Sequence, residues 1–145
     1  MRQADRSTRR GAQGMTDNIN TTSTHHENAM SGDIEQLKLR LREFAAVRDW
    51  DQFHSPKNLS MALIAEAAEL VEHFQWLTEA QSTNLKPDKL AEVEAELADI
   101  FIYLIRTADK LDIDLVAAAK KKIEHNEQKY PAEQVRGSAK KYTEY

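Results

Sequence analysis

Cysteine is absent from this 145-residue chain, which excludes disulfide bonds, thiolate zinc sites and cysteine nucleophiles. Only four glycines and three prolines occur, and the alternation of apolar and polar residues that is typical of strands is rare. No apolar run approaches the roughly 20 residues of a membrane helix. The net charge of −4 gives no overall basic field for nucleic acid. These absences favour one all-α domain in a reducing, cytoplasmic compartment, with neither a membrane nor a nucleic acid as partner.

Residues 1–32 differ in composition from the rest of the chain. They hold three of the four glycines and lack Leu, Val, Phe, Tyr and Trp. Such a segment buries too little apolar surface to offset the entropy lost on ordering. We therefore predict a disordered tail over residues 1–32 and a folded domain over residues 33–145.

Helical periodicity begins near Asp33 and predicts four helices. Their expected bounds are residues 33–51, 56–77, 87–111, and from Asp112 or Asp114 to about Tyr130. Pro56 and Pro87 stand at favourable first helical positions, and Pro131 cannot continue the last helix. Because the connections are short, the helices are expected to pack as an antiparallel four-helix bundle. Residues 132–145 are polar and basic and are expected to form a C-terminal arm.

Two acidic pairs stand out on the second and third predicted helices. Glu66 and Glu69 form the first pair, and Glu96 and Asp99 form the second. Residues three apart share one helix face, so two helices packed side by side would bring four carboxylates together. Buried carboxylates repel one another, and a hard divalent cation removes that conflict. All-oxygen ligation predicts Mg²⁺, with Mn²⁺ as the alternative.

The alternative is that the acids lie on solvated helix faces, as many do in a chain with 30% charged residues. Their apolar sequence setting argues against that alternative. The segment Met61–Val71 carries no lysine or arginine, and Asp99 is followed directly by the apolar residues 100–105. We therefore interpret the two acidic pairs as the metal site of an enzyme. A ferritin-like di-iron site is excluded because neither His73 nor His125 follows a glutamate by three residues.

Further candidate residues cluster around the acids in the predicted helices. Tyr103 lies one turn after Asp99 on the same face, and Lys122 and Asn126 form a stripe on the fourth helix. A phenol, an ammonium group and an amide are suitable donors to phosphate oxygens. On local evidence alone, a solvated lysine-rich helix face is the favoured explanation of the α-helical stripe.

The two tryptophans flank the acidic segment of the second helix. Trp50 and Trp76 offer flat faces on which a nucleobase can stack, and core packing is the alternative role. His54 lies between Trp50 and the second helix, where it can bond a base edge or close the turn.

Together these motifs resemble the all-α nucleoside triphosphate pyrophosphatases of the MazG-like superfamily, and especially the subgroup that acts on dCTP. The resemblance covers roughly residues 33–143. The segments that carry it, besides the two acidic pairs, are residues 48–54, 74–77, 96–104, 129–131 and 136–143. Leu41 is a departure, since a histidine occupies that place in the base pocket of mammalian-type members.

The resemblance implies Mg²⁺-dependent hydrolysis of a nucleoside triphosphate, dCTP or a 5-modified dCTP, to the monophosphate and pyrophosphate. It implies a homo-oligomer, a tetramer built as a dimer of dimers. The implied metal ligands are Glu66, Glu69, Glu96 and Asp99, with Glu66 or Glu69 as the base that activates water. The implied substrate contacts are Trp50, His54, Trp76, Tyr103, Lys122 and Asn126. A non-enzymatic helical oligomer and a broad-specificity pyrophosphatase remain as alternatives.

Overall fold

The computed structural model describes the backbone of residues 17–138 and the side chains of residues 32–138. Within this range every regular element is a helix, which confirms the all-α class. The helices are α1 (Asp17–Ala46), α2 (Pro56–Glu72), α3 (Glu79–Ser82), α4 (Pro87–Lys110), α5 (Leu115–Lys129) and α6 (Ala132–Val135). The described part of the chain divides into two compact units, with the boundary between Gln36 and Leu37. All residues of the candidate site lie in the second unit.

Helix α1 begins earlier and ends earlier than the periodicity predicts. It starts at Asp17 rather than near Asp33, so the backbone of residues 17–32 is helical where a disordered tail was expected. Extending an existing helix needs no new nucleus, and polar residues without an apolar face can therefore continue it. The remainder of the predicted tail, residues 1–16, lies outside the described residues. At its other end α1 stops at Ala46 rather than residue 51.

Helices α2 and α4 form the principal packed pair of the second unit. Their starts agree with the prediction, because Pro56 and Pro87 both open a helix. The Ser55 side chain caps α2 by accepting a hydrogen bond of 3.2 Å from the Asn58 backbone N–H. Among the side chains of residues 32–138, the buried apolar ones are Ala45, Leu59, Val93, Ile105 and Ala108.

Helix α2 ends five residues before the predicted Leu77 because a new helix begins soon after it. Thr78 and Gln81 form a reciprocal capping box, in which the Gln81 side chain accepts from the Thr78 backbone N–H at 2.9 Å. This box nucleates the short helix α3 within the connection that was expected to be irregular. The four-helix count is thus not confirmed: six helices lie in the described range, two of them only four residues long.

Helix α5 begins as predicted at an aspartate cap. Asp114 accepts a hydrogen bond of 2.9 Å from the Ala117 backbone N–H, and Asp112 turns the chain with a φ of 54°. The predicted C-terminal arm starts with helix α6, and its residues 139–145 lie outside the described range.

Many large apolar side chains of the second unit are exposed in the single chain. They include Ile64 and Val71 on α2, which are 65% and 59% exposed, and Phe101 on α4. Among the described side chains, by contrast, only five apolar residues are buried. Apolar exposure on this scale is typical of surfaces that are covered in an assembly.

Among the residues that the structure describes, no helix is long and apolar enough to cross a membrane.

Candidate active site

A cluster of three carboxylates lies between α2 and α4. One oxygen from each of Glu66, Glu96 and Asp99 lies within 4.8 Å of the others. Glu66 and Glu96 are half-buried, and Asp99 is exposed. The packing of α2 against α4 produces this convergence, because Glu66 lies on one helix and the other two acids lie three residues apart on the facing one.

The charge of this cluster is unfavourable in the absence of a cation. Burial raises the pKa of the Glu66 carboxyl, and the negative charges of Glu69, Asp99 and Glu96 raise it further. Both effects disfavour the carboxylate form that ligates metals. A divalent cation reverses the sign of the local field, and three converging carboxylate oxygens are a donor set that Mg²⁺ or Mn²⁺ accepts. The residues present therefore fit the expected metal.

Glu69 stands apart from the converging oxygens. It lies on α2 and is exposed, and it is not among the three acids that share the 4.8 Å cluster. Its charge nevertheless acts on Glu66, since it is the first of the three carboxylates that raise the pKa of that residue. Glu69 thus lies close to the cluster but outside the group of three carboxylates that the structure brings together.

A cavity of about 410 Å³ adjoins the carboxylate cluster. Its lining is mainly apolar and aromatic, and it consists of Leu37, Arg40, Leu41, Phe44, Trp50, His54, Asp99, Ile102, Tyr103 and Arg106. Asp99 belongs both to this lining and to the carboxylate cluster. A molecule in the cavity can therefore present one end to aromatic side chains and the other to the acids.

The turn between α1 and α2 places Trp50 and His54 in this cavity. Asp49 adopts a left-handed backbone with a φ of 53°, a conformation that aspartate tolerates better than most residues. The chain then folds back, and the Trp50 backbone N–H donates to the Ala45 carbonyl at 2.9 Å. The Trp50 ring meets Phe44 edge-to-face at a centroid distance of 5.7 Å and His54 at 6.4 Å. Packing thus orients a tryptophan that is still 45% exposed.

Four of the predicted substrate or metal residues line the cavity together. They are Trp50, His54, Asp99 and Tyr103. Trp76 is not part of the lining and is 87% exposed. Lys122 and Asn126 are exposed on α5 and are not among the residues that line the cavity. In the single chain the predicted set is therefore only partly assembled.

A charged network behind the cavity was missed by the sequence analysis. Arg106 is only 3% exposed, and its guanidinium donates to Asp51 at 2.8 Å and to Asp109 at 2.9 Å. Lys110 also donates to Asp51, at 2.7 Å, and the Arg42 Nε–H donates to Asp109 at 3.0 Å. The one sequence signal was an arginine directly after the apolar run that ends at Ile105, with an aspartate three residues later.

His73 was also missed, beside the carboxylate cluster. The Lys89 ammonium donates to its Nδ1 at 2.9 Å, and its Nε2 lies 4.0 Å from a Glu96 carboxylate oxygen. Because an ammonium group can only donate, Nδ1 is the acceptor and Nε2 carries the proton that faces Glu96. The sequence gives no spacing between Lys89, His73 and Glu96 that indicates this contact.

The chain is similar in sequence and in fold to known pyrophosphatases. The chain is 42% identical to dCTP pyrophosphatase 1 from Rattus norvegicus and from Homo sapiens. Each of these alignments extends over 113 residues, which are 77% of this chain. The chain spans 66% of the length of these two relatives. It also resembles the crystal structure of a pyrophosphatase from Archaeoglobus fulgidus, with a TM-score of 0.65 and 41% identity. That match covers 68% of this chain and 93% of the archaeal one.

Residues 62–145, which carry all four acids and more than half of the chain, match the MazG-like family. The family match, the identity to curated relatives and the shared fold lead to one conclusion. The chain belongs to the MazG-like family.

Proposed function

We propose that the protein hydrolyses a nucleoside triphosphate, dCTP or a 5-modified dCTP, to the monophosphate and pyrophosphate. One observation carries the proposal: Asp99 is shared by the carboxylate cluster and the aromatic cavity. A nucleotide has the matching shape, with a flat base at one end and a strongly charged triphosphate at the other. The relatives named dCTP pyrophosphatase 1 supply the expectation of the base.

In this proposal Glu66, Glu96 and Asp99 hold Mg²⁺, with Glu69 as a fourth acid that ligates once the site is loaded. Mn²⁺ suits the same oxygens. When bound, the metal neutralises the phosphates and offsets the charge that develops in the transition state. Without it, the acids of this chain would repel the triphosphate.

We assign to Glu66 the role of holding and deprotonating the attacking water, with Glu69 as the alternative. A general base must lie within hydrogen-bond reach of the water that it deprotonates. Glu66 is half-buried and converges with Glu96 and Asp99, so its carboxylate lies at the proposed site of hydrolysis. Glu69 is exposed and adjacent on the same helix, so it can take this role only if the loaded site draws it inward.

The cavity side chains are proposed to select the base. Trp50 provides a flat face, His54 a ring nitrogen, and Tyr103 a hydroxyl near Asp99. Leu41 contributes an apolar surface where a hydrogen-bonding residue would discriminate more sharply. We therefore expect dCTP or 5-methyl-dCTP as the best substrate, with measurable turnover of dUTP and dTTP.

Trp76, Lys122 and Asn126 remain proposed substrate contacts. In the single chain Trp76 is 87% exposed, and the two α5 residues are exposed as well. We propose that they complete the site in a homotetramer built as a dimer of dimers. The exposed apolar side chains of α2 and α4, such as Ile64 and Phe101, support such an assembly. A cytoplasmic location is part of the proposal because nucleoside triphosphates are found there.

A panel of substrates tests the proposal. The full chain is incubated with Mg²⁺ and, separately, with each of the four dNTPs, the four NTPs and 5-methyl-dCTP, and pyrophosphate release is measured. We expect the highest kcat/KM for dCTP or 5-methyl-dCTP. A purine triphosphate at the top of the ranking would contradict the dCTP assignment and favour a broad-specificity pyrophosphatase. No pyrophosphate from any substrate would contradict the function itself.

A further inference from the structure

His54, which is proposed to contact the base, is paired in the cavity wall with Arg106, a residue that has no role in the proposed function so far. The Nη2 atom of Arg106 lies 3.4 Å from the Nδ1 atom of His54. A guanidinium group carries donors only and stays charged at all ordinary pH values. A ring nitrogen can accept a hydrogen bond from this guanidinium only if the nitrogen carries a free lone pair. His54 Nδ1 is therefore the unprotonated nitrogen, which leaves the proton of the neutral ring on Nε2.

Arg106 is held too firmly to move away from the histidine. Its guanidinium is bound by Asp51 at 2.8 Å and by Asp109 at 2.9 Å, and its side chain is only 4% exposed. Its Nε is buried and makes no hydrogen bond in the described part of the chain. A buried cation with two carboxylate partners is costly to displace. The ring of His54 thus meets a fixed positive charge.

The charged groups around His54 also favour its neutral form. Burial lowers the pKa of the imidazole, the charges of Arg106 and Lys110 lower it further, and Asp51 partly opposes them. A protonated ring would direct an N–H at the guanidinium. The two findings agree on one state, a neutral imidazole with Nε2–H.

We propose that Arg106 is a positioning residue for specificity: it fixes His54 as a donor through Nε2, and this donor selects a base with an acceptor nitrogen on its pairing edge. Cytosine presents an unprotonated N3 there, whereas uracil and thymine present N3–H. His54 and Arg106 both line the cavity, and with Nδ1 engaged only Nε2 is left to meet a ligand. The selectivity part of this inference rests on the proposed function, whereas the state of the ring does not.

The state of the ring is measured first, on the free protein and without any activity assay. Long-range ¹H–¹⁵N spectra of the uniformly labelled full chain at neutral pH report both ring nitrogens, and the His54→Gln variant assigns the signals. We expect a pyridine-like Nδ1 and a pyrrole-like Nε2. A protonated Nδ1, an imidazolium, or rapid averaging between the two tautomers would overturn the inference. Absence of turnover with every nucleotide would count against the proposed function and leave this result unaffected.

The role of Arg106 is tested with Arg106→Met, and Lys110→Met is the matched control. Lys110 shares Asp51 with Arg106 and its charge also acts on His54, but among the described residues the hydrogen bond to the ring comes from Arg106 and not from Lys110. For Arg106→Met we expect KM for dCTP to rise about 3- to 10-fold, the loss expected for one hydrogen bond. The kcat/KM for dCTP divided by that for dUTP should fall in the same variant. The kcat for dCTP should stay near the wild-type value. The two ¹⁵N signals of His54 should lose their separation.

An unchanged dCTP-to-dUTP ratio in Arg106→Met, or the same fall in Lys110→Met, would overturn the role. If Arg106→Met fails to fold, Arg106→Lys supplies the comparison. A lysine keeps the positive charge but lacks the fork that bridges Asp51, Asp109 and the ring. We then expect an intermediate dCTP-to-dUTP ratio and partial averaging of the His54 signals. Wild-type values for both quantities would show that the guanidinium itself is not required.

Discussion

Asp99 and Trp50 line the same cavity, although one lies on α4 and the other in the turn after α1. The carboxylate of Asp99 also converges with Glu66 and Glu96. A ligand that contacts both Trp50 and Asp99 must therefore reach from an aromatic wall to a cluster of acids. That relationship links the base-binding part of the proposal to its metal-binding part.

Glu66→Gln should abolish most of the turnover while the fold is retained. The amide keeps the shape of the side chain but removes a charged ligand, so we expect Mg²⁺ affinity to fall by at least about 10-fold. Mg²⁺ titration by calorimetry and pyrophosphate release measure the two effects. Glu94→Gln is the control, because Glu94 is an exposed acid on α4 outside the cluster. Equal activities in the two variants would remove Glu66 from the metal site.

Trp50→Ala should raise KM for dCTP about 10-fold or more. Stacking of a base on an aromatic ring is worth about 1–3 kcal/mol. The comparison is Trp76→Ala, since Trp76 is 87% exposed and outside the cavity lining. We expect a smaller increase in KM for dCTP with Trp76→Ala, because Trp76 is proposed to contact the substrate only in the assembled tetramer. A larger effect at Trp76 than at Trp50 would show that the cavity wall of the single chain is not the main stacking surface.

Asp109→Asn should lower stability at neutral pH and flatten its decline in acid. The hydrogen bond from Arg42 holds the pKa of the Asp109 carboxyl below its usual value of 3.8, and the charges of Arg42 and Arg106 act in the same direction. A carboxyl with a depressed folded-state pKa stabilises the protein above its unfolded pKa, and this stability is lost as pH falls through the folded value.

Urea unfolding at pH 7 and near pH 3 measures this effect. We expect the variant to lose about 1–3 kcal/mol at pH 7, because two guanidinium groups lose an acceptor. The difference from wild type should shrink toward low pH. A constant difference at all pH values would show that the charge of Asp109 does not provide the stability.

The sequence predicts those parts of the molecule that local chemistry determines. Pro56 and Pro87 mark helix starts without tertiary help, and both predictions are confirmed. For the last long helix the sequence offers Asp112 or Asp114 as the cap, and the structure has Asp114. The convergence of Glu66 with Glu96 and Asp99 follows from two helical spacings and the packing of α2 on α4. The end of α2 was missed because the capping box at Thr78 competes with helical periodicity that continues to Leu77.

The Arg106 network could not be predicted, since it depends on contacts between residues distant in the chain. Asp51 and Arg106 are 55 positions apart, and Arg42 and Asp109 are 67 apart. Asp51 also lies just after the left-handed residue Asp49, in a turn that no helical spacing reveals. Lys122 was a different case: its spacing to Asn126 is regular, but a regular stripe does not show which neighbour, if any, it faces.

The products of dCTP hydrolysis test the central claim most directly. The full chain is incubated with dCTP and Mg²⁺, the nucleotides are separated by anion-exchange chromatography, and pyrophosphate and phosphate are quantified in the same samples. We predict dCMP and pyrophosphate in equal amounts, with no reaction when EDTA removes the metal. Formation of dCDP and phosphate, or dCMP formation that EDTA leaves unchanged, would contradict the account.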